Sequence, residues 1–435
     1  MLGRVALSQG DPERALPLLA ASAARAVSAG MPWQAVDALV LRAGVLMSVE
    51  RPEEAQEAAR SALEHSAQVT EAETQAVVRL TLADILLRRA DGAAEAAEHA
   101  LTAAHWFDQA DLTADGGAQA RLVLARAYAR EGRHADAAEV LQSTLPDLLE
   151  HGEGQAVSVR EFLGDLLRQL NDPRAAAEQY LLAAEVAKGW EDAHPQAALA
   201  QAAAEQLSAA RLDQEATAAY ERSLELFRVT GDAPVAEVRI LRSLAWLAPR
   251  ESTGAPAWAR ARELMDEAGA VLEAALAEHA ANAEPAGADA SPLRAELAQT
   301  WLQLAQVLDW RVTSHEQSED ESEPGDESEP GDESEPGDES ASASESEVDV
   351  QALRLEEIDL TARAGELYAE LGPNHLGDRL QCVQYAAWTE QEIGRENEGA
   401  TRLAALIEEL RAMPEGVVPD GLLERAQSSL DSLRS

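Results

Sequence analysis

The chain is poor in cysteine, lysine and aromatic residues. Cys382 is its only cysteine, Lys188 is its only lysine, and aromatic side chains make up 4% of its 435 residues. A single cysteine excludes a disulfide within the chain and a zinc site built from several cysteines. We interpret the use of arginine in place of lysine as the codon bias of a GC-rich genome. Val and Ile are also sparse and no long apolar–polar alternation occurs, so no β-strand is predicted.

Long apolar segments are missing as well. No stretch approaches the run of about 18 apolar residues that a membrane-spanning helix needs. The first residues, Met1 to Leu7, lack the basic region and long apolar core of a signal peptide. We therefore expect a cytoplasmic protein.

Positive charge is scarce, and the formal net charge is −44. Nucleic acids and anionic membranes are bound mainly through Lys and Arg, so this balance argues against both as partners. It favours basic partners instead. The acidic residues are concentrated between Arg311 and Arg354, where sixteen Asp or Glu and no Lys or Arg occur.

What the chain does have is a periodic distribution of alanine. Its apolar residues, 46% of the total, are mostly Ala and Leu, which favour helices. Five alanines each open the second helix of a helix–turn–helix pattern: Ala15, Ala55, Ala137, Ala176 and Ala216. Their spacings are 40, 82, 39 and 40 residues, and the longest interval predicts two units with a looser copy near Ala93–Leu101. A fixed period of this size is typical of a helical solenoid.

One copy of the pattern, residues 162–180, has an apolar first helix. Leu163, Leu167 and Leu170 recur at helical spacing and form one stripe. Gly164 lies beside that stripe, where a missing side chain allows another helix to approach. We predict that these leucines face the core.

The second half of that copy is a turn followed by another helix. Asp172 is predicted to cap the new helix and Pro173 to occupy its first position. Ala176 is small where two helices cross, and Tyr180 fills the adjacent groove. In another copy, Gly132 can supply a left-handed C-terminal cap.

This pattern resembles the tetratricopeptide repeat (TPR). The resemblance covers residues 1 to about 230 and extends more loosely to Met413. It implies an all-α fold, a TPR-like α-solenoid of antiparallel helix pairs that form a right-handed superhelix. The period of about 40 residues exceeds the usual 34 of the family, as in the longer-helix versions of bacterial regulators. We expect a bacterial, actinobacterial type.

The resemblance also implies that the first helices line a concave groove. The positions predicted to face it, and therefore to bind a partner, are Asp84, Arg126, Asp165, Arg168 and Glu205. This mixture differs from the Lys/Asn-rich clamp for C-terminal carboxylates found in some family members. Arg126 and Arg168 could pair with an acidic peptide, and the alternative is that all five are ordinary solvated charges.

An acidic tract interrupts the helical pattern. Glu323–Ser328 is followed by two further copies of the same six residues. High charge, Pro-Gly repeats and the lack of apolar residues predict disorder. We divide the chain into TPR-like repeats at 1–312, a disordered acidic insert at 313–349, and C-terminal repeats with a capping helix at 350–435. The insert either joins two helices of one unit, Leu293–Val312 and Val350–Leu371, or links two independent solenoids.

No pattern in the chain indicates an active site. There is no phosphate-binding glycine loop, no nucleophile elbow and no His-Glu-x-x-His helix. Seven tryptophans are predicted to be core residues (Trp33, Trp190, Trp246, Trp258, Trp301, Trp310 and Trp388). Trp106-Phe107 is predicted to be a plug between repeats.

We therefore expect a non-catalytic module without a cofactor or metal, which binds a protein or peptide through its concave face. An alternative follows from Met1, which begins inside a repeat. The chain is then the sensor portion of a larger bacterial signalling or transcriptional regulator whose effector domain lies outside it. The sequence leaves the partner and the oligomeric state open.

Overall fold

The computed structural model describes residues 2–150, 152–252, 254–282, 289–320, 348–414 and 416–434. Within those ranges every regular element is a helix, as the composition predicts. Packing contacts divide the chain into two compact units, Met1–Ala210 (unit 1) and Arg211–Ser435 (unit 2). Each is a solenoid in which successive helices pack on one another. The predicted boundaries at 312 and 350 are not where this division falls.

Unit 1 holds eleven α-helices among its described residues. They are α1 (Leu2–Ser8), α2 (Pro12–Ser28), α3 (Pro32–Ser48), α4 (Pro52–Ser66), α5 (Ala72–Leu86), α6 (Ala93–Gln109), α7 (Ala118–Arg130), α8 (His134–Leu149), α9 (Glu153–Gln169), α10 (Pro173–Ala187) and α11 (His194–Ala209). A short π-helical turn, Thr113–Gly117, precedes α7.

The periodic alanines lie in the packed interior of the helical repeat. Ala15, Ala55, Ala137, Ala176 and Ala216 are all completely buried. Ala96 is also completely buried and supplies the looser copy expected between Ala55 and Ala137. Helices approach closely where the side chain is a single methyl group, so the alanine period marks the helix crossings.

The turns within helix pairs repeat one geometry. Gly10, Gly132 and Asn171 have φ values of 74°, 78° and 58°, in the left-handed region. In each case the next residue donates its N–H to a carbonyl five residues earlier, as between Asp172 and Leu167 at 3.0 Å. Asp172 then caps α10 by accepting from the N–H of Ala175 at 3.1 Å. Both the Gly132 and the Asp172 caps are confirmed.

Gly164 and Tyr180 pack against each other between α9 and α10. A Cβ placed on Gly164 would lie 2.7 Å from the Tyr180 ring. The predicted close approach is therefore confirmed, and Tyr180 is buried. Leu163 and Leu167 are buried as predicted, but the prediction for Leu170 is wrong because α9 ends at Gln169 and Leu170 is exposed beyond it.

Unit 2 holds eight α-helices among its described residues. They are α12 (Asp213–Thr230), α13 (Pro234–Glu251), α14 (Ala255–Asn282), α15 (Ser291–Asp320), α16 (Val350–Glu370), α17 (Leu376–Glu392), α18 (Glu396–Ala412) and α19 (Leu422–Leu433). The last of these is the amphipathic capping helix that the sequence predicts, and its apolar face packs on α17 and α18.

The helices on either side of the acidic insert pack against each other. Ala298 and Leu302 of α15 share a core with Ala364 and Tyr368 of α16. The insert therefore joins two helices of one unit, which was the first of the two alternatives. Residues 313–320, assigned to the insert, continue α15, and the rest of the predicted disordered tract, 321–347, lies outside the described residues.

Candidate binding surface

The five predicted partner-binding residues all lie on first helices of pairs in unit 1. Asp84 is on α5, Arg126 on α7, Asp165 and Arg168 on α9, and Glu205 on α11. Four are exposed, and Asp165 is half-buried. We call the surface of α1, α3, α5, α7, α9 and α11 the first-helix face.

Asp165 and Arg168 are brought together, but much of their bonding capacity is used inside the repeat. Arg168 donates to Asp165 Oδ1 at 3.2 Å, and the Tyr180 hydroxyl donates to the same oxygen at 2.8 Å. Burial, and then this carboxylate, raise the pKa of Tyr180 above its usual range. Asp165 thus holds Tyr180 against Gly164, a structural role that its sequence position did not reveal.

Arg126 lies in a cleft that is lined by apolar residues and a second arginine. The Arg126 cleft has a volume of about 370 Å³ and is lined by Leu87, Arg126, Ala129, Arg130 and Phe162. Arg130 donates to the backbone carbonyls of Leu87 and Arg89 at the end of α5. Among the described residues Arg126 forms no ion pair or hydrogen bond, and no carboxylate lines the cleft.

The other two predicted residues lie elsewhere on the first-helix face. Glu205 accepts a hydrogen bond from Gln201 at 3.0 Å, on its own helix. Asp84 is exposed and is not among the residues lining the Arg126 cleft. The five residues therefore do not converge on one pocket.

A large groove on this face was not predicted from the sequence. The Trp33 groove, about 810 Å³, is lined mainly by α3 and α5, with Arg4 of α1 and Ser22 of α2 (Arg4, Ser22, Trp33, Gln34, Val36, Asp37, Val40, Glu73, Thr74, Val77 and Val78). Trp33 is 58% exposed and Val77 is 42% exposed. On the wall, Arg4 donates to Asp37 Oδ1 at 2.6 Å.

The prediction that Trp33 is a core residue is therefore wrong. Trp33 is the second residue of α3, in its first turn, and it lies on the stripe of Asp37 and Val40 that lines the groove. Trp388 is also exposed, at 45%, so the same prediction is wrong there. Phe107, by contrast, is buried between repeats as predicted.

Three tryptophans of unit 2, Trp246, Trp258 and Trp310, form one aromatic cluster. Trp246 and Trp310 stack with centroids 5.8 Å apart, and Trp258 meets Trp310 edge-on at 5.1 Å. Arg363 lies over the Trp301 ring at 4.4 Å. These half-buried rings join helices and leave Trp33 and Trp388 as the two exposed tryptophans of the described chain.

Among the described residues, no group of three or more His, Cys, Asp or Glu side chains is arranged to hold a metal ion. No helix in the described ranges combines the length and apolar character needed to cross a membrane.

Comparison with known proteins gives matches in structure only. A scan against protein families finds no match, and no curated protein matches in sequence. Solved structures that resemble the chain include the C-terminal part of a TPR repeat-containing protein from Cytophaga hutchinsonii, with a TM-score of 0.47 and 12% identity, over 62% of this chain and 94% of that one. The actinobacterial origin that we expect has no support from these structures.

Two further structures extend the comparison. One is a signal transduction ATPase with numerous domains and a tetratricopeptide repeat sensor, from Pyrococcus horikoshii (TM-score 0.44, 11% identity, 85% of this chain and 50% of that one). The other is the apo form of RapI (TM-score 0.41, 11% identity, 65% of this chain and 92% of that one). Two of these three structures are described as proteins with tetratricopeptide repeats. The helix packing of the chain itself establishes its fold as a helical-repeat solenoid.

Proposed function

We propose that unit 1 binds a segment of a partner protein on its first-helix face, as a scaffold or regulatory module without catalysis. The Trp33 groove holds an apolar side chain of that segment. The observation that carries this proposal is the exposure of Trp33 and Val77 inside a groove of about 810 Å³ on this face.

Physical chemistry supports this use of the groove. Exposed aromatic residues in concave sites are the commonest sources of binding energy in protein interfaces, because they bury a large area with few rotatable bonds. The Arg4–Asp37 pair on the wall leaves a polar rim around the apolar floor. This combination suits a segment with one large apolar side chain flanked by polar residues.

The Arg126 cleft supplies a second contact of different chemistry. Arg126 has no carboxylate partner in the described chain, and its neighbours Leu87, Ala129 and Phe162 are apolar. A guanidinium over an apolar floor favours an acidic side chain of the partner. We keep Asp84, Arg168 and Glu205 as proposed rim contacts of lower weight, because exposed charges contribute little to affinity.

A peptide selection tests the proposal. Random dodecapeptides displayed on phage are selected on the full chain, and the Kd of the recovered peptides is measured by fluorescence polarisation. We expect Trp33→Ala to weaken binding about 30-fold, the effect of losing about 2 kcal/mol at a central aromatic contact. Arg126→Glu should weaken binding further for those peptides that carry Asp or Glu.

Trp388→Ala is the matched control, because it removes an exposed tryptophan of unit 2 and should leave Kd unchanged within twofold. Circular dichroism should show all three variants folded, since none of the changed side chains is buried. Recovered peptides that bind Trp33→Ala as tightly as the unchanged chain would reject the groove.

The alternative function, a sensor portion of a larger regulator, is compatible with this surface. It is tested by the reading frame upstream of Met1. An in-frame nucleotide-binding or DNA-binding domain would support it.

A further inference from the structure

One buried guanidinium in unit 2 is shared by three carboxylates from three helices. Arg354 of α16 contacts Asp309 of α15, Glu357 of its own helix, and Glu392 of α17. The Arg354 side chain is 7% exposed and that of Glu357 is completely buried. We call these four residues, together with Tyr385 of α17, the Arg354 cluster.

The contacts are direct. One terminal nitrogen of Arg354 donates to Asp309 Oδ1 and, at 3.0 Å, to Glu357 Oε2. The other terminal nitrogen lies 3.0 Å from Glu392 Oε2. The cluster thus joins α15 and α16, the helices that flank the acidic insert, to α17.

The charges of the cluster do not balance. A single positive charge faces three carboxylates, so full ionisation would leave a net charge of −2. Glu357 is completely buried, whereas the side chains of Asp309 and Glu392 are 38% and 53% exposed. Glu357 Oε1 is buried and accepts no hydrogen bond from the described residues. The buried hydroxyl of Tyr385 lies beside Asp309 and Glu357 without a hydrogen bond of ordinary geometry. An unpartnered carboxylate oxygen in such a place is costly, and a neutral carboxyl group costs much less.

Three other arginines of unit 2 form no ion pair with the cluster in the described part of the chain. Arg262 of α14 pairs with Glu356 and Asp266. Arg402 of α18 pairs with Glu390. Arg311 of α15 forms no ion pair in the described part of the chain. Glu316 of the same helix adds further negative charge near Glu392.

We propose that the Arg354 cluster is a proton-sensitive joint: when Glu357 binds a proton, the packing of α16 on α15 and α17 tightens. When Glu357 ionises, its buried Oε1 carries negative charge with no hydrogen-bond donor among the described residues, and Arg354 is shared among three carboxylates. Local opening of α16 then becomes easier, directly at the base of the insert.

The direction of the titration supports this geometry. Burial raises the pKa of Glu357 from 4.5 to about 7, while Arg354 opposes the rise and Asp309 and Glu392 add to it. Burial also raises the pKa of Glu392. A carboxyl group with a higher pKa in the folded chain stabilises the fold fully below pH 4.5, and that contribution is lost as the pH rises through about 7.

Hydrogen exchange of the full chain, measured by mass spectrometry on peptides from α16, tests the proposal. Protection factors are compared between the unchanged chain and Glu357→Gln, a neutral side chain of the same shape. We expect protection in the unchanged chain to fall about tenfold relative to the Gln variant between pH 6 and pH 8. Glu392→Gln removes one competing charge and should move that fall to lower pH.

Glu356→Gln is the control, because it changes the neighbouring carboxylate, which pairs with Arg262, and leaves Glu357 intact. It should lower protection by a constant factor and keep the tenfold fall. The decisive quantity is the ratio of the α16 protection factors in the unchanged chain and in Glu357→Gln. The proposal would be overturned if this ratio stayed flat from pH 5 to pH 8, or changed only near pH 4.5. Should Glu357→Gln fail to fold, the shift between the unchanged chain and Glu392→Gln decides the question in the same way.

Discussion

The two units differ in where they keep their charge. Every buried charged side chain in the described chain belongs to unit 2: Arg242, Arg354, Glu357 and Glu390. The buried polar residues of unit 1 are uncharged. Unit 1 also has shorter helices, none above 17 residues, whereas α14 and α15 have 28 and 30.

This difference shows two ways to pack a helical repeat. In unit 1, alanines let the helices approach closely and the arginines remain at the surface, where Arg126 is available to a partner. In unit 2, the helices are joined by aromatic rings and by buried ion pairs such as Arg242–Glu296, 2.7 Å apart. We expect the first arrangement to tolerate loss of charge and the second to depend on it.

The largest expected effect comes from removing Arg354. Arg354→Ala leaves Asp309, Glu357 and Glu392 without a buried counter-charge, and breaking a buried ion pair in this way costs about 3–5 kcal/mol. The same change in unit 1, Arg60→Ala, removes an exposed pair with Glu95 and should cost less than about 1 kcal/mol. Urea unfolding followed by hydrogen exchange in each unit measures both values.

A result in which the two arginine variants lose similar stability would break the comparison. It would mean that solvent reaches the Arg354 cluster as freely as it reaches Arg60. Recovery of stability by Arg354→Ala at pH 5, where Glu357 takes up a proton, would sharpen the comparison, since burial raises the pKa of Glu357.

A smaller effect is expected from adding one methyl group to unit 1. Gly164→Ala places a Cβ 2.7 Å from the Tyr180 ring, and overpacking of this kind costs about 1–3 kcal/mol. Gly154→Ala, on the same helix, meets no atom within 4 Å and should be neutral or stabilising by less than about 1 kcal/mol. Thermal unfolding monitored by circular dichroism separates the two, and equal melting temperatures would show that Tyr180 can move aside.

The repeat could be predicted from the sequence because its positions are set by contact geometry. Alanine at Ala15 or Ala176 is the residue that a helix crossing requires, and Asp172-Pro173 is what a helix start requires, so composition and position agree. Leu170 failed for a local reason. Helical spacing places residues on one face only as far as the helix continues, and Leu170 lies one residue past the end of α9.

The proposed binding surface could be derived only in part from the sequence. Placing Arg126 on a first helix needs only the repeat, but its lack of a partner depends on which side chains its neighbours present. Trp33 was misassigned because aromatic residues are usually buried, and nothing in its own helix shows that α5 stops short of covering it. The Arg354 cluster was missed because Asp309 and Glu392 are brought to Arg354 by helices on both sides of it.

The smallest expected effect concerns the acidic insert. Replacing 321–347 by an eight-residue Gly/Ser linker shortens the connection between α15 and α16 roughly threefold, which should stabilise unit 2 by about 1 kcal/mol or less. Unit 1 should be unchanged, because none of its helices is touched. A loss of stability in unit 2, seen as faster hydrogen exchange in α16, would show instead that the insert contacts the unit. Its acidic residues would then belong with the buried charges that distinguish unit 2 from unit 1.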